Sequence, residues 1–134
     1  MNISNLTPHP LNIKNEQGEF ITFGRTPHPT LEKRFCIVRA ESQKVKDKTI
    51  AGITVVKTTF GEPVLCHVDE RGQDPKPMSF KELPTEARFA DFFVVSVLAL
   101  QSCKGMFFGT TCVSPGEAIR NEEGAIIGAN GFTI

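Results

Sequence analysis

Apolar and polar residues alternate over Leu11-Asn12-Ile13-Lys14 and again over Glu19-Phe20-Ile21-Thr22-Phe23. A period of two marks half-buried strands. The turn residues Asn15-Glu16-Gln17-Gly18 between them predict a β-hairpin. Gly24-Arg25-Thr26-Pro27-His28-Pro29 should then break the sheet, because proline cannot donate to a central ladder. Phe35 to Ala40 is rich in strand formers, and Glu41 to Lys48 reads as a polar turn after it. Ile50 to Phe60 is the next extended unit, bent at Gly52, with Val55 and Val56 as its core. Gly61-Glu62-Pro63 ends it, and Val64 to Val68 is a further short strand.

From Asp69 to Arg88 the chain is polar and carries Pro75, Pro77, Pro84 and Gly72, which predicts a long loop. Its length suggests a functional role. Phe92-Phe93-Val94-Val95 is an apolar run that predicts a buried central strand. Ser96 is placed to cap a short helix, Val97 to Cys103, that ends at Lys104-Gly105. One helix over residues 92–104 is the alternative, and strand followed by helix is preferred. Near the end, Ala118-Ile119-Arg120 pairs with Ala125-Ile126-Ile127 across Asn121-Glu122-Glu123-Gly124, where the glycine supplies a positive φ. Gly128 to Gly131 should loosen the chain before the apolar tail Phe132-Thr133-Ile134. These elements make one α+β domain over residues 1–134, a mostly antiparallel β sheet with one short helix after a buried strand.

A length of 134 residues suits a single domain with its own core. The aromatic set is 11 Phe with no Trp and no Tyr, so phenylalanine is the expected core material. Lys plus Arg and Asp plus Glu number 15 each. That balance argues against a generic binder of nucleic acid or of anionic membranes. The local basic group Lys33, Arg34, Arg39, Lys44, Lys46 and Lys48 reads as a solvated face. Met1-Asn2-Ile3-Ser4 does not open a signal peptide, and the longest apolar stretch, Phe92 to Leu100, is about half a membrane span. A cytoplasmic protein is expected. Cys36, Cys66, Cys103 and Cys112 form no C-x-x-C pair, so buried free thiols are expected. No cofactor or metal is expected. In the Cys66-His67 cluster with Asp69 and Glu70, adjacent strand residues point to opposite faces.

Candidate chemistry centres on Val95-Ser96-Val97-Leu98, where a strand-to-helix turn offers backbone N–H groups to an anion. Arg39 or Arg120 would add a contact to phosphate, and His9 or a phenylalanine would stack on a base. Neither a G-x-x-x-x-G-K-[ST] loop nor a G-x-G-x-x-G turn is present. Ser96 lacks the flanking glycines of a nucleophile elbow, so an enzyme built on His9 and Ser96 is the less favoured reading. Thr-Pro-His-Pro occurs at 7–10 and again at 26–29. The flanks differ too much for a repeat architecture, and the recurrence reads as coincidence. The first copy reads as a rigid turn that launches the first hairpin.

Several short motifs occur in a fixed order: Asn5-Leu6-Thr7-Pro8-His9; Lys57-Thr58-Thr59-Phe60-Gly61; Leu83-Pro84 before Phe93-Val94-Val95-Ser96; Ser114-Pro115-Gly116; and Arg120 to Gly128. This ordered set, which covers most of the chain, resembles a family of short phage and actinobacterial proteins of unassigned function. The chain departs from the family's pattern at Thr26-Pro27-His28-Pro29-Thr30 and in a longer segment from Leu65 to Arg88. The resemblance implies a phage accessory protein, working in the host cytoplasm against host defence. In that role it would sequester a nucleotide-derived immune signal without cleaving it. The ligand set expected on this reading is Ser96, Val97, Arg39, Arg120, His9 and Thr58. Exposed sheet edges and the phenylalanine excess suggest a homo-oligomer with a shared pocket. The alternative is a protein-interaction module, a virion component or a direct inhibitor of a host protein, using residues 69–88. A small hydrolase ranks third.

Overall fold

In the computed structural model, which describes residues 1–134 apart from the side chain of Ser42, the strands separate into three sheets. In chain order the strands are β1 (Ile3–Asn5), β2 (Leu11–Lys14), β3 (Phe20–Phe23), β4 (Thr26–Pro27), β5 (Phe35–Arg39), β6 (Ser42–Ile50), β7 (Ile53–Phe60), β8 (Val64–Val68) and β9 (Lys76–Pro77). Then follow a 3-10 turn (Phe80–Glu82), α1 (Thr85–Arg88), β10 (Phe92–Val94), α2 (Val97–Cys103), β11 (Met106–Phe107), β12 (Thr110–Arg120) and β13 (Ile126–Thr133). The seven-stranded sheet runs β1-β10-β12-β13-β2-β3, with β11 on the start of β12. The four-stranded sheet runs β4-β5-β8-β9, and β6 and β7 form a ribbon of their own. Most pairings are antiparallel; β1 with β10, β10 with β12 and β13 with β2 are parallel.

The run Phe93-Val94-Val95 is fully buried, as a strand flanked on both sides by parallel neighbours should be. Phe93 and Val95 face a core shared with Cys36, Val38 and Leu65 of the smaller sheet and with Ala99 of α2. The chain crosses between the two sheets at Leu6. Its N–H donates to the Val94 carbonyl, and its own carbonyl accepts from Val38 N–H.

Asn5 and Thr7 hold that crossing. The Asn5 amide donates to the carbonyls of His9 and Phe23, at 2.8 and 3.2 Å. Its Oδ1 accepts from the Thr7 N–H and hydroxyl, at 3.0 and 2.6 Å. The turn is therefore locked by Asn5 and Thr7, with His9 contributing its carbonyl.

Several expectations change. Glu41 to Lys48 is mostly strand, and the turn falls at Ala51-Gly52, with φ of +51° and +77°. Cross-strand pairing with β7 overrides the polar composition there. Because the ribbon is a sheet of its own, Val56 is exposed and Val55 only half-buried, so neither forms a core. Asp69 to Arg88 contains β9, the 3-10 turn and α1, a second helix of a single turn. Pro27 and Pro77 sit in β4 and β9, the two outer strands of their sheet, where a missing N–H costs no ladder bond. Gly128 to Gly131 lies inside β13. A Cβ at Gly128 would stand 2.7 Å from the Asn12 carbonyl and from the Phe20 ring, so close approach explains that glycine. The phenylalanines divide: Phe93 and Phe107 are buried, whereas Phe20, Phe60, Phe89 and Phe108 are exposed. All four cysteines are free and buried. Burial pushes the Cys36 and Cys112 thiols up to about 12, which keeps them protonated and inert.

Candidate functional site

The sequence-derived ligand residues scatter. Arg39 and Ser96 do meet, across a groove of about 460 Å³ that Pro8, Leu98 and Asp74 also line. The Ser96 hydroxyl is committed to capping α2, accepting from Ala99 N–H at 3.2 Å. Val97 is exposed on α2, and His9 is exposed one residue beyond Pro8. Arg120 lies at the β12–β13 turn and donates to the Gly124 carbonyl at 2.8 Å. Thr58 lines a separate cleft between the ribbon base and the end of α2.

A second depression, of about 600 Å³, gathers more chemistry. Its floor is the histidine pair His28 and His67, with ring centroids 5.2 Å apart in an edge-to-face arrangement. Its walls carry Lys81, Glu82 and Arg88. The fold brings these together from three places. His28 follows β4, His67 lies in β8 on the face that looks into the main core, and the 3-10 turn and α1 close the far side.

Local hydrogen bonds assign the tautomer of each ring. His28 Nδ1 accepts from the N–H groups of Thr30 and Leu31, at 3.2 and 3.1 Å. His67 Nδ1 accepts from Arg34 Nε at 2.9 Å. Each ring therefore carries its proton on Nε2. The His28 side chain is 6% exposed, and its Nε2 stands 4.0 Å from the Glu82 carboxylate. Arg34 is itself braced, donating to the carbonyls of His67 and Asp74 at 3.0 and 2.6 Å. On the opposite wall, Arg88 donates through its terminal nitrogen to the Thr85 hydroxyl at 3.2 Å, while its buried Nε has no partner. Its guanidinium lies 6.0 Å over the ring of Phe89, which is 74% exposed.

This arrangement donates hydrogen bonds. With both Nδ1 lone pairs occupied by N–H donors, neither ring presents a free lone pair to a metal ion. Two N–H groups, an ammonium and a guanidinium instead suit an acceptor-rich anion. Among the described residues, no three His, Cys, Asp or Glu side chains converge as metal ligands. Cys66 joins Ile37 and Val68 in a small cluster, and His67 points to the other face.

No family model, curated protein or solved structure matches this chain. The site is therefore read from its own geometry. None of its residues was in the ligand set expected from the sequence, although Lys81, Glu82 and Arg88 fall in the 69–88 segment whose length suggested a function. The second Thr-Pro-His-Pro and the Cys66-His67 pair were the visible signals, but nothing along the chain joins them.

Burial, and then Arg34, His28 and Lys76, hold the His67 imidazole below its ordinary value of 6.5, with Glu82 opposing. Between the depressed folded value and 6.5 the unfolded chain binds more protons than the folded one. The contribution of His67 to stability is thus complete above 6.5 and lost as the pH falls through that window. Thermal unfolding midpoints measured in steps below pH 6.5 should fall more steeply for the wild type than for His67→Gln. Glutamine keeps an acceptor for Arg34 but has no titrating proton. Parallel profiles would show that His67 does not carry the effect.

Proposed function

We propose that the protein binds a small, anionic, nucleotide-type ligand without altering it, in the His28–His67 depression. The observation that carries this reading is the pair of buried imidazoles, both fixed as Nε2–H donors, opposite an arginine whose buried Nε lacks a partner. Phosphate oxygens would accept from His67, Lys81 and Arg88. Glu82 favours a ligand that also carries hydroxyls, since a carboxylate accepts from them. Phe89, exposed beside Arg88, offers a face on which a base would stack. The depression lies within the size range of small-molecule sites.

The resemblance of the ordered motifs to those of short phage proteins suggests the narrower reading, sequestration of a nucleotide-derived immune signal. A protein-contact role for residues 69–88 has less support, because residues 81–85 and Arg88 line this depression. Calorimetric titration with ADP-ribose, a cyclic dinucleotide and inorganic phosphate tests the proposal. At least one nucleotide should bind, and heat denaturation should release it intact. Arg88→Ala should weaken that binding by about 10- to 100-fold, the value of a hydrogen bond to a charged group. Absence of binding across the panel would refute the proposal, and recovery of a cleaved ligand would replace it with a hydrolase.

A further inference from the structure

The β6–β7 ribbon extends about 30 Å, at about 3.3 Å per residue, and each of its strands pairs only with the other. Its base is tied by Gly61 N–H to the Glu41 carbonyl and by the Ser102 hydroxyl to the Gly61 carbonyl. A lone two-stranded hairpin is marginal in water. This one also exposes apolar side chains: the register places Val45, Val55, Ile50 and Ile53 on one face. Ile50 and Ile53, opposite each other beside the tip, are 54% and 69% exposed. The ribbon is basic. Lys57 pairs with Asp47 at 3.7 Å, and among the described residues Lys44, Lys46 and Lys48 have no acidic partner.

The same chain carries a surface of opposite character. An apolar groove of about 280 Å³ lies between β2 and the β12–β13 hairpin, lined by Pro10, Leu11, Pro115, Ala118, Ile126 and Ile127. The hairpin that walls it bears Glu117, Glu122 and Glu123, which among the described residues have no basic partner. Arg120, its one cation, is turned to the Gly124 carbonyl.

We infer that the ribbon of one copy docks on the β12–β13 hairpin of a second copy. Its Ile50–Ile53 tip enters the apolar groove, and its lysines face the hairpin glutamates. An apolar tip and an apolar groove of opposite surrounding charge specify a second copy of this chain as the occupant. The two patches differ, so the contact is heterologous and propagates into a ring or an open chain.

Sedimentation across micromolar concentrations tests this. The wild type should exceed the 14.7 kDa chain mass by at least twofold. It should return to that mass in about 1 M salt, where screening acts within about 3 Å. A ribbon variant (K44E, K46E, K48E) and a hairpin variant (E117K, E122K, E123K) should each be monomeric. All six positions are exposed, and circular dichroism would confirm that both variants fold. Mixed together, the two should regain at least a twofold mass, because the reversed ribbon meets the reversed hairpin and the unchanged ribbon meets the unchanged hairpin, each with opposite charge. A monomeric wild type would overturn the inference. So would assembly that the ribbon variant abolishes and the hairpin variant leaves unchanged, which is the signature of a ribbon-to-ribbon dimer.

Discussion

Asn5→Ala is expected to lower the unfolding free energy by about 3–5 kcal/mol, because it strands several buried and part-buried polar groups at once. Asn5 is 2% exposed and is the hub of the crossing between the sheets. Its removal leaves the carbonyls of His9 and Phe23 without its amide donors and the Thr7 N–H without an acceptor. Each unsatisfied buried group costs about 1–3 kcal/mol, and partial entry of water offsets some of the sum. For a chain of this size the melting midpoint should fall by roughly 10–20 °C. Asn5→Asp should be destabilised as well, since a carboxylate keeps the acceptor for Thr7 but cannot donate to the two carbonyls. Calorimetric scans of both variants check this. A midpoint within a few degrees of the wild type would show that Asn5 is not the hub.

Phe93→Ala should cost about 3–5 kcal/mol, the usual range for deleting a buried ring. Phe93 is 0% exposed, and its ring packs among residues from both sheets and α2, so the surroundings cannot collapse into the vacancy. A domain's whole stability is about 5–15 kcal/mol, so this one change should unfold a measurable fraction of the protein. Phe89→Ala, at an exposed position, should change stability by less than about 0.5 kcal/mol while weakening nucleotide binding. Urea denaturation separates the two. Equal midpoints would contradict the burial difference.

These two phenylalanines show what composition leaves open. The count of 11 points to a phenylalanine core. Yet the chain spends several rings on the surface, one of them beside Arg88. Local pattern was informative where local physics decides the outcome. Asn15-Glu16-Gln17-Gly18 and Asn121-Glu122-Glu123-Gly124 both read as turns. In each, the asparagine Oδ1 accepts from N–H groups two and four residues on. Asp69-Glu70-Arg71-Gly72 follows the same pattern and makes the same bonds, so the β8–β9 turn was legible too. The segment after it read as loop because the place of Pro77 on a sheet edge and of Pro84 at the start of α1 is invisible in the chain.

The two copies of Thr-Pro-His-Pro separate in the same way. The first serves the junction through Asn5 and Thr7. In the second, Thr26 donates to the Asn5 carbonyl, and His28 reaches the floor of the depression.

By itself, then, the sequence determined the first and last hairpins, the buried strand at Phe92–Val94, the Ser96 cap and the class of fold. Each of these follows from side-chain periodicity or from bonds within a few residues. Only the tertiary structure decided that the segment after Glu41 is a ribbon, and that His28, His67 and Arg88 share one depression. It alone placed Lys44, Lys46 and Lys48 on a ribbon whose strands pair only with each other. Those outcomes rest on contacts between residues far apart in the chain, where the energy comes from strand partners and packing rather than from local preference.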